Sequence, residues 1–405
     1  MARRSPIQDS LEQLGAIVAP YGPPSLPQTA VEVVQVVDQV GAEYAALRTG
    51  CVVIDSPQRG TLAVRGAERI DFLNRMITQE LRGMAPFTSR RSFWLTRKGR
   101  IDADLRLCEL GVGGAASDPS PERAGPLAAE MLIDVDIHAA ARAAITLGEF
   151  VFGEDVSIAD VSEQLHRIEL HGPAATAVLS RAAATAGHDT AGALKSLRPG
   201  VALVVSVSGH SMLVERQDST GEPGLCIAMP VRAAQVVWDA LRGAGAVAAG
   251  WHAFNIARIE AGWPLYYIDF GPDSLPAETG VLEDRVSFKK GCYLGQEVVA
   301  RMHSLGHPKQ RLVGLRVRSA SGGDVGDRQP QTGARVLLAG TDEAVGAITS
   351  STVSPRLGSA CICFAMMKFK HSESGMSLCV EASGGAGELL EARVEPALAF
   401  VSARS

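Results

Sequence analysis

Apolar residues recur in short blocks along the chain, either alternating with polar ones or spaced three and four apart, and glycine or proline separates the blocks. Residues 31–47 carry spacing that predicts a helix. Between residues 51 and 64 two short strands are predicted, split by the turn signal S-P-Q-R-G. In G-A-E-R-I-D-F-L-N-R-M-I, Ile70, Phe72, Leu73 and Ile77 fall on one helical face. Residues 93–95 and 105–107 read as strands joined through a turn at Lys98-Gly99, and 131–135 as another. The Gly, Ser, Pro and Ala content of residues 111–127 predicts an exposed loop.

A second series begins near Val156. Residues 167–170 predict a strand, and G-P-A-A-T-A-V-L-S-R opens a helix with proline in its first turn. A strand pair is expected at 203–207 and 212–215 around Gly209, with helices at 231–241 and 252–261. After His307-Pro308 the pattern changes. Residues 312–317, 335–338, 345–349, 360–364 and 378–381 are strand-like and helix patterns are scarce, as in a small antiparallel barrel or jelly roll. The expected class is α+β: a lead-in over residues 1–45 with an extended Pro-rich run at 21–29, α+β units over 46–155 and 156–307, and a β barrel over 308–405. The second unit reads as ferredoxin-like.

A 46% apolar content can fill several cores, and 405 residues suit two to four units. The net charge of −5 argues against stable nucleic-acid binding. The densest basic cluster, Arg90, Arg91, Arg97, Lys98 and Arg100, reads as a solvated face. Seven scattered cysteines without C-x-x-C suggest a reducing compartment, no zinc site and no self-contained iron–sulfur cluster. Met302, His303 and His307 form only a loose ligand group, so no metal is expected. The M-A-R-R-S-P start lacks a following apolar run and no stretch is long enough to span a bilayer, so a cytoplasmic location and no membrane partner are expected.

The chemistry concentrates in K-K-G-C-Y-L-G-Q-E, residues 289–297. Cys292 lies between Gly291 and Gly295, which allow tight backbone shapes and close approach. Lys289 and Lys290 stand next to it, and ammonium groups favour the thiolate. Tyr293 and Gln296 complete the motif, with Glu297 as proton acceptor or ion-pair partner of Arg301. A buried, inert cysteine in a tight turn fits the same residues.

This motif, with A-R-M-H-S-L-G-H after it, resembles the signature of the YgfZ folate-binding family, itself related to glycine-cleavage aminomethyltransferase. In that family the cysteine is the central functional residue, which here implies Cys292. I-A-R-I-E-A-G-W-P is similar to a segment whose arginine helps hold folate, implying Arg258; an ion pair with Glu260 or Glu278 is the alternative. S-T-G-E-P-G-L resembles a turn whose glutamate binds the pteridine, implying Glu222; a solvated turn glutamate is the alternative. K-G-R-I-D-A-D-L-R-L resembles a stretch with paired acids, one of which positions the reacting folate nitrogen. Asp104 matches the second acid and Ala103 replaces the first; Asp102 would share a strand face with Asp104.

The resemblance implies three domains around a central cavity and tetrahydrofolate, or a one-carbon-substituted folate, as cofactor. It further implies an accessory role in iron–sulfur cluster assembly or repair for client proteins, tRNA-modifying enzymes among them, rather than ordinary enzymatic turnover. Two other readings stand beside it: a folate-dependent aminomethyltransferase and a non-catalytic scaffold.

Overall fold

Three polar–apolar alternations set the architecture. In residues 103–107, Ala103, Leu105 and Leu107 enter one core, while Asp104 and Arg106 take the other face of the strand. Ile133 and Val135 join the same core, with Asp134 and Asp136 opposite. Ile168 and Leu170 enter a second core, with Arg167, Glu169 and His171 opposite. Each sheet therefore has an apolar face that needs helices and a polar face that needs a partner.

The computed structural model describes residues 3–22, 31–112, 114, 125–183, 190–319, 323–384 and 388–402. The first sheet runs in the order Thr88–Leu95, Ile101–Glu109, Met131–Asp136, Arg59–Arg65, Ser157–Asp160, all antiparallel. Helices Arg69–Met76 and Ile137–Gly148 cover its apolar side through Phe72, Leu73, Ala139, Ala143 and Leu147. The second sheet runs Ala202–Val207, His210–Arg216, Gly224–Pro230, Leu165–His171, Val52–Asp55, Val247–Ala248, and only its last pair is parallel. Helices Ala175–Ala182 and Ala234–Gly243 cover it through Val178, Leu179, Val237 and Trp238. The polar faces of the two sheets turn toward each other.

The chain crosses between sheets at both ends of this region. Val52–Asp55 pairs with Leu165–His171 in the second sheet, and Ser157–Asp160 returns to pair with Arg59–Arg65 in the first. Residues 310–394 form a closed six-stranded antiparallel barrel in the order Gln310–Arg318, Ala360–Lys368, Ala344–Ser354, Arg335–Leu338, Ser377–Glu381, Leu389–Val394, which pairs back to the first. The fold is thus α+β with a terminal β barrel, and the jelly-roll alternative is excluded by this closure. Among the described residues, no helix is long and apolar enough to cross a membrane.

Several expectations are corrected. Residues 31–47 are not one helix: Glu32–Val36 is a strand paired with Ile17–Pro20, and the helix is Val40–Thr49. The valines of E-V-V-Q-V suit a pleated ladder better than a helix. The barrel has a sixth strand, Leu389–Val394, whose alternate residues are buried. Residues 23–29 of the Pro-rich run and most of 111–127 lie outside the described residues.

Candidate functional site

Where the two polar faces meet they line a narrow cavity with about 70 Å³ of room for water, open to solvent at its mouth. Four guanidinium groups (Arg59, Arg91, Arg106, Arg285) and four carboxyl groups (Asp104, Asp134, Asp136, Glu169) stand in its wall, so its formal charge balances. Such a chamber suits a polar, uncharged body better than a polyanion.

Asp104 is fixed by Arg285, whose Nε and Nη2 reach its two oxygens at 3.0 and 3.3 Å. Asp134 gathers Arg59 and Arg106 at 2.9 Å and Arg167, from the opposite sheet, at 3.4 Å. Burial would push the Asp134 carboxyl up, but the three guanidinium groups hold it well below the usual carboxylate range. Arg106 also reaches across to Cys226 Sγ at 3.1 Å and lies 3.6 Å from Glu215. These pairs bind one sheet to the other across the cavity floor.

One end of the cavity is aromatic. Trp251 and Phe254 project from the helix Trp251–Glu260, and Tyr21, from the N-terminal segment, sets its ring edge against Trp251. The Tyr21 hydroxyl donates to Asp136 Oδ2 at 2.7 Å. At the other end Arg91 lies 3.9 Å over the Trp263 ring, with Tyr266 and Asp104 nearby in the wall. Burial, together with Arg285 and Arg106, pulls the Arg91 guanidinium below its ordinary range. Arg91, Arg106, Gln217 and Trp263 also border an outer chamber lined by Arg90 and Arg216. Arg91 therefore belongs to the cavity and not to a solvated basic face.

The residues singled out in the sequence separate in space. Asp104 lines the cavity. Asp102 does not; it pairs with Arg142 at 3.0 Å, and Ala103 is in the core. Glu222 is buried outside the cavity lining, 3.2 Å from Arg48. Arg258 is fully buried, donating to Asp269 Oδ2 at 2.7 Å and Ser350 Oγ at 2.6 Å. The expectation that Glu222 and Arg258 border the cavity is corrected, because internal partners consume both charges. For Arg258 the partner is Asp269, not Glu260 or Glu278.

Cys292 is exposed and absent from the cavity wall, so the thiol does not open onto the same hollow. Nor does Lys290 serve it. The Lys290 ammonium donates to the carbonyls of Asn74, Ile77 and Gln79 at 2.7–2.8 Å, closing the end of helix Arg69–Met76. Burial pulls it down to about 8. Tyr293 is buried beside it, with the ammonium 5.3 Å from the ring centre. Gly295 has φ +80°, and a side chain there would meet the Thr96 carbonyl at 2.8 Å; Gly291 has open space around it. Gln296 and Glu297 start the helix Gln296–Leu305, and Glu297 forms no ion pair with Arg301 among the described residues. Cys361 and Cys363 share one face inside the barrel, sulfurs 4.0 Å apart. Among the described residues no group of three or more His, Cys, Asp or Glu is placed to hold a metal.

Residues missed in the sequence include Gln58, Arg59, Asp134, Glu169 and Trp251. Their signal was available: I-D-V-D and R-I-E-L-H place charges at alternate positions of otherwise apolar strands.

Residues 126–290 match the family model described as the GCVT N-terminal domain. The chain is 28% identical over 363 residues to an aminomethyltransferase of Geobacillus kaustophilus, covering 88% of each chain. It is 28% identical over 395 residues to that of Cutibacterium acnes, covering 95% of each. The crystal structure of the glycine cleavage system aminomethyltransferase T from Bartonella henselae superposes with a TM-score of 0.82 at 20% identity, covering all of this chain and 99% of the other. The chain is related to these aminomethyltransferases and shares their fold.

Proposed function

We propose that this protein binds a tetrahydrofolate, or a one-carbon-substituted folate, between its two sheets and supports one-carbon transfer of the aminomethyltransferase kind. The observation that carries the reading is Asp104, an acid held in the cavity wall by two bonds from Arg285. The wall fits the ligand: flat rings for a pterin, balanced charge, and the buried Gln58 Oε1, which has no hydrogen-bond partner. Tetrahydrofolate when bound supplies the nitrogen that accepts the one-carbon unit. Asp104 accepts a hydrogen bond from a folate N–H and fixes the ring's orientation, while Arg285 fixes Asp104. Arg91 and Arg216 border the outer chamber, where a carboxylate tail would meet positive charge.

Titration calorimetry with tetrahydrofolate, and a turnover assay with an aminomethylated lipoyl carrier, test this. Micromolar binding with turnover is expected, and Asp104→Asn should lower turnover by about 100-fold, the order expected when a contact that positions the reacting ring is lost. Absence of binding by the wild type would leave only the scaffold reading.

One observation favours a second reading. Of seven cysteines only Cys292 is exposed, and it lies outside the cavity lining. A thiol so placed would serve a protein partner, as an accessory role toward iron–sulfur clients requires. Folate binding without carrier turnover, combined with failure of Cys292→Ala to complement an iron–sulfur-deficient strain, would select that reading.

A further inference from the structure

The aromatic end of the cavity holds two polar groups with unfinished hydrogen bonding. Gln58 is 8% exposed, and its Oε1 is buried without a partner. A buried acceptor of this kind is unfavourable unless something donates to it. Glu169 is also buried; its Oε2 accepts from His171 Nε2 at 2.9 Å, and no hydrogen bond reaches its other oxygen among the described residues. Burial opposes the charge on Glu169, yet the His171 bond and the fields of Arg59 and Arg106 hold its carboxyl below the usual range. Both side chains stand in the wall shared by the central cavity and a smaller adjoining hollow, and Trp251 and Phe254 stand in the same wall. Two acceptors beside two aromatic rings form a built site for a flat heterocycle with adjacent N–H donors.

We infer that Gln58 and Glu169 together read the amino-pyrimidinone edge of the pterin, each accepting one N–H of its 2-amino group. This rests on the folate reading and takes the place of Glu222, whose carboxylate is held by Arg48. It also gives the ligand a direction. The donor edge points to the aromatic end, and the ring nitrogens and tail run toward Asp104 and the outer chamber. Cys226 stands directly across from Glu169 in the ladder, so the neighbouring strand contributes a thiol and no carboxylate at that level.

The test measures affinity on the full chain, by calorimetry, for tetrahydrofolate and for its 2-desamino-2-methyl analogue. Wild type should prefer tetrahydrofolate by at least tenfold. Glu169→Gln keeps the shape and a contact to His171, and should lose 10- to 100-fold in affinity for tetrahydrofolate while changing little for the analogue. Gln58→Met should lose about fivefold with the same selectivity. Thermal melting of each variant reports its folding independently. If wild type binds tetrahydrofolate and neither variant alters the preference, or both compounds weaken alike, the edge-reading assignment is overturned and the folate reading survives. If wild type binds neither compound, the folate reading itself falls.

Discussion

Three guanidinium groups converge on Asp134, and two of them come from strands other than its nearest neighbour in sequence. Neutralising that acid leaves buried positive charge without its counter-ion. Asp134→Asn should therefore cost about 3 kcal/mol, the order seen when one partner of a buried pair is removed. The folded carboxyl lies below its unfolded value near 4, so its contribution is complete above that pH and fades as pH falls through the folded value. The gap between wild type and Asp134→Asn in urea melts should narrow below about pH 4. Lys290 is a second residue whose effect is structural. Its three carbonyl partners lose their donor in Lys290→Met, which should cost about 2 kcal/mol by the same melts without changing Cys292 exposure. Thiol titration with a chromogenic disulfide should count one fast-reacting group in the native protein and none in Cys292→Ala, with half-buried Cys379 reacting more slowly in both.

At the level of elements, the loop carrying Cys292 rests on the turn between Leu95 and Ile101. Gly295 sits against the Thr96 carbonyl, and Gly99 against Val298 of the following helix. Gly295→Ala combines a left-handed backbone with a contact that no side chain tolerates, so a loss of about 2 kcal/mol is expected. Gly291→Ala, with open space around it, should melt as wild type does. The sequence motif marked both glycines alike, and only the fold tells them apart. The barrel was legible because its strands alternate and glycine or proline breaks them. The pairing of Ile17–Pro20 with Glu32–Val36 was not, since four residues and a distant partner give no periodic signal of their own. Asp104 was legible as a cavity acid through the resemblance of K-G-R-I-D-A-D-L-R-L to a stretch with paired acids. Glu222 and Arg258 were not, because residue type reveals a charge but not which internal partner neutralises it. Glu169 was overlooked, although charges at every second position of a buried strand imply a polar interior that something must fill.

On the scale of the molecule, the exchange of strands between sheets decides how the chain can be cut. Val52–Asp55 lies in the second sheet and Ser157–Asp160 in the first, so division at residue 155 removes a strand from each. Fragments 1–155 and 156–405 should each fail to give a cooperative melt, and the intact region should unfold in one step, measured by circular dichroism.

The helix Trp251–Glu260 joins the remaining parts. Its first turns supply Trp251 and Phe254 to the cavity, and its last turn is fastened to the barrel by Arg258 on Ser350 and Glu260 on Ser354. A rigid rod gripped at both ends passes displacement from one to the other. Occupation of the hollow should then slow amide exchange in the barrel strand Ala344–Ser354, which contributes nothing to the cavity wall, and Ser350→Ala should make binding and barrel protection respond to each other less.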